Sequence, residues 1–302
     1  MKYCNVGGVN APRLIVGCMR IADKPLRQVE KMIIEAVKNG VNMFDHADIY
    51  GDGDSEVVFG VAVKDLGIKR EDVILQSKCG IRQGFYDFSA EHITSSVEGS
   101  LRRLNTEYLD VLLLHRPDAL MEPEVIAETF AKLQESGKVR AFGVSNFSAA
   151  QLKLLRAYGV NVAVNQVQFS LMRSGLVDEG LNVNMHKDEG VQRGGELLDY
   201  CRFRGITLQA WSPLNYGQMK GVFVGNENFP TLNEELDRLA EKYGCTPAAI
   251  ALAWILRHPA KMQVVCGTTT PERIAELCRS TDVQLEREEW YSLYRATGKT
   301  LP

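Results

Sequence analysis

Residues 72–115 read DVILQSKCGIRQGFYDFSAEHITSSVEGSLRRLNTEYLDVLLLH. An apolar run of strand length, DVILQSK (72–78), gives way to polar and glycine-containing turn residues. A segment of helical period follows, with Ile93, Val97, Leu101 and Leu104 on one face behind a Ser89 cap, and then a second apolar run, LDVLLLH (109–115). Both strand-like runs are nearly continuously apolar instead of alternating. That is the pattern of parallel strands covered on both faces.

The same unit recurs along the chain. Strand-like runs fall at 13–19, 41–47, 72–78, 109–115, 139–145, 162–169, 206–211 and 262–267. The segments between them carry helix signals: Ile126, Phe130 and Leu133 on one face before Gly137, a Ser148-x-x-Gln151 capping box, and Thr-Pro starts at Thr246-Pro247 and Thr270-Pro271. Eight β-then-α units in 302 residues predict a single-domain (β/α)₈ TIM barrel spanning 1–302. Three stretches fall outside the repeat. They are an N-terminal hairpin over 1–12 around Gly7-Gly8, a long polar loop over 170–194 on the substrate side, and a C-terminal helix and tail over 286–302.

Composition narrows the function. The net charge is −3, from 35 basic and 38 acidic residues, and no basic stretch is dense enough for nucleic acid, so anionic ligands must be held by local sites. The seven cysteines are scattered with no C-x-x-C, which predicts reduced thiols and no metal centre. No secretion signal and no run of membrane-span length are evident, so a cytoplasmic protein without membrane contact is expected. There is no G-x-G-x-x-G, hence no support for a Rossmann domain, and GKT at 298–300 has Leu293 where a P-loop needs its first glycine. Nothing in the sequence sets the oligomeric state.

Polar residues stand where the apolar runs end: Asp45 and Tyr50 in NMFDHADIYG, Lys78 in VILQSKCG and His115 in DVLLLHRPD. On a barrel these positions belong to the C-terminal rim, where the chemistry of such folds sits. A phenol next to an ammonium has its pKa drawn down from about 10, a carboxylate keeps the lysine charged, and an imidazole can orient a carbonyl oxygen. The set suits reduction of a carbonyl by a bound hydride donor.

The motifs FDHADIYG, ILQSKCG, DVLLLHRPD, GKVRAFGVSNF, NQVQFS and AWSPL together resemble the aldo-keto reductases, over residues 13 to about 280. The resemblance is to the bacterial branch with DHADIYG and SKCGI. It implies a (β/α)₈ barrel, NADP(H) bound without a Rossmann domain, a small-molecule carbonyl substrate, and catalysis by Asp45, Tyr50, Lys78 and His115. It further implies that Ser145, Asn146 and Gln166 hold the nicotinamide carboxamide and that Trp211 stacks on the ring. Ser212, Pro213 and Leu214 would follow the pyrophosphate, and Gly17, Cys18 and Met19 would cover the cofactor from the first loop. At the adenine end the resemblance implies Gly267, Thr268, Arg273 and Glu276, with Arg273 on the 2′-phosphate. His46 stands where many members carry Thr, Gly267 where many carry Lys, and Leu277 where many carry Asn. Phe85, Tyr86 and the 170–194 loop are candidates to line the substrate pocket. Two other readings of the same residues are a barrel aldolase with Lys78 as Schiff-base nucleophile and, because the resemblance extends to potassium-channel β subunits, a nicotinamide-binding regulatory subunit.

Overall fold

The computed structural model describes residues 1–183, 188, 196–217 and 220–301. Its strands are β1 (Tyr3–Val6), β2 (Val9–Pro12), β3 (Leu14–Gly17), β4 (Met43–Asp45), β5 (Ile74–Cys79), β6 (Ile81–Arg82), β7 (Phe85–Tyr86), β8 (Leu109–Leu114), β9 (Val139–Ser145), β10 (Val162–Gln168), β11 (Thr207–Trp211) and β12 (Gln263–Cys266). Eight of them, β3, β4, β5, β8, β9, β10, β11 and β12, close into a parallel barrel in that order, β12 pairing back onto β3. Each lies within or against one of the eight apolar runs of the sequence, and helices on the outside connect them. The chain is a (β/α)₈ barrel.

Helix ends follow their local chemistry. Ser89 accepts from the His92 amide to start the helix Ala90–Arg103. Ser148 and Gln151 form a reciprocal capping box before Ala149–Ala157, and Thr246 accepts from the Ala249 amide before Pro247–Arg257. The expected cap at Thr270 is absent: its hydroxyl makes no cap bond to the helix Pro271–Cys278, and its own amide donates to Thr268 Oγ1 at 3.2 Å.

Side-chain alternation along the strands separates the barrel interior from the packing beneath the helices. Inside the barrel, Ile15, Met43, Ile74, Val111, Leu113, Ala141, Val164 and Val265 meet in an apolar plug with Val6 and Ala11. Those last two come from the β1–β2 hairpin, which covers the barrel's bottom. Its turn holds Gly7 at φ +57°, and a Cβ there would stand 2.6 Å from that of Ala141, so the hairpin can sit this close only with glycine. Above the plug the interior turns polar.

Within 170–194 the expected loop is partly helical, Gly175–Leu181. Its first residues are tied down, Ser170 donating to the Asn215 carbonyl and Lys299 donating to the Leu171 carbonyl and Ser174 Oγ. Residues 184–187 and 189–194 of that loop lie outside the described residues. The C-terminal segment contains the helix Arg287–Ala296, whose Trp290 stacks on Trp254 at 4.7 Å between centroids.

His46 illustrates the alternation. Asp45 faces the barrel interior, so its successor must face outward, and His46 packs edge-on against Phe59 of the helix Asp54–Asp65, fully buried with neither ring nitrogen hydrogen-bonded. Burial, reinforced by the Lys78 charge, pushes its pKa down to about 3. An unfolded histidine titrates near about 6.5, so stability from this group is complete above that pH and is lost as pH falls toward 3. His46→Leu should therefore flatten the acid limb. In denaturant unfolding between pH 7 and 4.5, wild type should lose stability more steeply than the variant, by at most about 1.4 kcal/mol per pH unit. Other groups titrating there are common to both proteins, so parallel slopes would contradict the assignment.

Candidate active site

Asp45 closes β4, Lys78 lies one residue from the end of β5, and His115 follows β8 directly; these three strands are neighbours in the barrel. Tyr50 opens the short turn Tyr50–Gly53 beyond β4. The turn needs φ of +57° at Gly51 and +97° at Gly53, and a Cβ on Gly51 would collide with the Ala22 side chain. The glycines thus let Tyr50 turn back over the rim.

The four side chains form one cluster. Lys78 Nζ donates to Asp45 Oδ2 at 2.7 Å, to the His46 carbonyl at 2.7 Å and to Tyr50 Oη at 3.1 Å. The Tyr50 and His115 rings meet edge-on at 6.0 Å. Lys78 has no exposed surface; burial pulls its pKa down, but its pairing and hydrogen bonds with Asp45 and Tyr50 outweigh this and hold it above the usual value. His115 is driven down to about 2 by burial, then by the Lys78 and Arg116 charges, so its imidazole is neutral at any working pH. Tyr50 departs from the sequence expectation. The Lys78 ammonium does pull the phenol down, but burial raises it more and Asp45 adds to the rise, leaving the pKa above its ordinary value. The phenol is protonated at neutral pH, with an ammonium in place to meet the phenolate.

Asp45 is anchored on both oxygens. Its Oδ1 accepts from Gln76 Nε2 at 2.5 Å and Gln166 Nε2 at 3.1 Å. Gln76 and Gln209 exchange amide bonds at 2.9 and 3.0 Å, Gln166 donates to Gln209 at 3.0 Å, and Gln209 donates to Gln263 at 2.9 Å. Gln263 in turn donates to the Pro12 carbonyl at the bottom of the barrel. Four glutamines from β5, β10, β11 and β12 thus build a connected polar floor beneath Asp45. Sequence reasoning singled out only Gln166 among them. For Gln76 the available signal was its place two residues before Lys78 on the same strand.

A second polar group continues from this floor. Ser145 Oγ donates to the Gln166 carbonyl at 2.9 Å, Asn146 Nδ2 donates to Ser145 Oγ at 2.8 Å, and Trp211 Nε1 donates to Asn146 Oδ1 at 3.1 Å. Asn146 and Ser212 both hold left-handed backbone, φ +62° and +50°, an uncommon conformation for non-glycine residues. These bonds join Trp211 to Asp45 and so to Tyr50.

Both groups open into one cleft of about 1130 Å³. It runs from Tyr50 and His115 past Gly17, Met19, Ser145, Asn146, Gln166 and Trp211–Leu214 to Gly267, Thr268, Arg273 and Glu276. Lys78 stands behind Tyr50, off the wall. Cys18 is a correction: one residue past the inward Gly17, it faces outward into the packing beneath the helices, fully buried and away from the cleft. Phe85 and Tyr86 are another, since they lie on the exposed β6–β7 hairpin and line no part of it. Among the described residues of 170–194, none lines it either. Arg20 and Arg116 do line it and were not singled out from sequence. No group of side chains able to hold a metal ion occurs among the described residues, and none of their helices is long and apolar enough to cross a membrane.

Comparison with known proteins agrees with this geometry. The model of the Aldo/keto reductase family matches residues 13–296. A 6-dehydroglucose reductase of Agrobacterium fabrum is 33% identical over 303 residues, 95% of this chain and 95% of that protein. An NADH-specific methylglyoxal reductase of Escherichia coli is 31% identical over 288 residues, 84% of this chain and 82% of that one. Among solved structures, an aldo-keto reductase from Klebsiella pneumoniae in complex with NADPH superposes with a TM-score of 0.78 at 26% identity, covering 97% of this chain and 94% of that one. With a family match over nearly its whole length and a barrel that carries Asp45, Tyr50, Lys78 and His115 together at its rim, the chain belongs to the aldo/keto reductase family.

Proposed function

We propose that this protein is an NADPH-dependent carbonyl reductase in which Tyr50 is the general acid. The observation that carries the reading is the buried Lys78 ammonium, 2.7 Å from Asp45 and 3.1 Å from a phenol that lines the cleft. When bound, the reduced nicotinamide supplies the hydride. The residues along the cleft suit that group: Ser145 and Asn146 offer a hydroxyl and an amide where a carboxamide needs both donors and acceptors, and Trp211 offers an aromatic face. At the far end the uncapped start of the helix Pro271–Cys278 offers free amide groups to a phosphate.

Tyr50 and the neutral His115 bind the carbonyl oxygen between them, His115 as a hydrogen-bond donor without charge. As negative charge grows on that oxygen, the phenol's proton moves to it and the Lys78 ammonium stabilises the phenolate left behind. Asp45 keeps Lys78 charged and aimed, and the glutamines keep Asp45 in place. The Schiff-base alternative is disfavoured because Lys78 is off the cleft wall and held by three acceptors.

Turnover is read from nicotinamide absorbance with a panel of aldehydes and ketones. Tyr50→Phe should keep fold and cofactor binding while slowing reduction by about 10²–10⁴-fold; a wild-type rate would remove Tyr50 from the role. Arg273 is exposed on the cleft wall and has no carboxylate partner among the described residues. Arg273→Ala should therefore weaken NADPH much more than NADH in fluorescence titration, by roughly 10- to 100-fold, the weight of one charge-assisted hydrogen bond. Equal weakening would place Arg273 elsewhere. Treatment with an aldehyde and borohydride should leave Lys78 unmodified by mass spectrometry, and a substrate-sized adduct there would favour the aldolase.

A further inference from the structure

We propose that the cleft selects carbonyl substrates bearing an anionic group, carboxylate or phosphate, and that the Arg116 guanidinium holds it. The inference rests on the reductase reading above. Arg116 follows His115 directly and forms part of the cleft wall. Its guanidinium carbon lies 5.6 Å from the centroid of the Trp211 ring, so the side chain reaches inward over the mouth toward β11. Its charge also reaches the imidazole, where it helps depress His115. The positive charge therefore stands beside the place where a carbonyl oxygen would rest between Tyr50 and His115.

Arg116 has no counter-ion among the described residues. The comparably half-buried Arg70 and Arg103 pair with Asp110 at 2.7 Å and Glu56 at 2.8 Å. Arg116 is half-buried too, but no hydrogen bond or ion pair joins it to any described residue. A guanidinium partly removed from water and given only an aromatic face loses hydration without a full replacement. A ligand carboxylate or phosphate would restore it, and the planar fork suits either bidentately. The mouth carries no excess of acid to compete. Asp23, which also lines it, is engaged by Lys24 at 3.3 Å, while Arg20 adds a second positive group without a carboxylate partner among the described residues.

The test compares kcat/KM within pairs that differ in charge: 4-carboxybenzaldehyde against methyl 4-formylbenzoate, and glyceraldehyde 3-phosphate against glyceraldehyde. Wild type should favour the anionic member of at least one pair by about 10- to 100-fold, and the pair showing the larger ratio identifies the anion. Arg116→Gln should bring that ratio close to one, while Arg116→Lys keeps part of it. Added salt should shrink the wild-type ratio with no variant needed. Ratios near one in wild type for both pairs, or a preference that survives in Arg116→Gln, would overturn the inference and leave the reductase reading standing. Equal slowing of both members in Arg116→Gln with weakened NADPH binding would overturn it too, by placing the arginine on the cofactor. No reduction of any of the four by wild type would overturn both.

Discussion

A lysine ammonium without exposed surface is the constraint around which the rim of this barrel is organised. Taking such a charge out of water costs several kcal/mol unless partners of good geometry surround it. Lys78 has three: the Asp45 carboxylate, the His46 carbonyl and the Tyr50 hydroxyl. Removing any one leaves a buried charge under-coordinated. The ion pair is thereby weak evidence for stability and strong evidence for a geometry being held. The atom it leaves facing the cleft is the phenol oxygen of Tyr50.

The glutamine floor extends this constraint downward. An interior of stacked aliphatic layers would offer the second oxygen of Asp45 nothing. Gln76 and Gln166 donate to it instead, and Gln209 and Gln263 complete their amides down to the Pro12 carbonyl. Because each amide is both donor and acceptor, the layer can be satisfied only as a connected whole. The same Gln166 receives Ser145 Oγ through its backbone carbonyl, so the part of the cleft suited to a carboxamide and the part suited to proton transfer share one rigid support.

Much of this was legible in the sequence. The eight apolar runs announced eight parallel strands because both faces of each are covered, and Asp45, Lys78 and His115 announced the rim because polar residues end three of those runs one after another. Some of the misses share an origin in the alternation of side chains. The resemblance placed Cys18 with Gly17, although successive residues along a strand face opposite ways, and the same alternation puts His46 behind Asp45 and against Phe59. Counting by twos back from Lys78 would also have drawn Gln76 inward. Phe85 and Tyr86 follow β5 in sequence but pair into their own hairpin, turned away from the cleft, and that depends on a local turn with no signal at a distance. The balance at Tyr50 was out of reach as well, since it sets burial against a neighbouring charge and burial is a property of the folded chain.

The proposed reaction delivers a hydride within this cleft to a carbonyl carbon, with a proton from Tyr50 completing the alcohol. The most direct measurement is the isotopic composition of the alcohol formed from an aldehyde and NADPH deuterated at the transferable C4 position. One deuterium bound to the former carbonyl carbon, with the hydroxyl proton drawn from solvent, is the result this arrangement predicts. An alcohol formed without label at that carbon would contradict it.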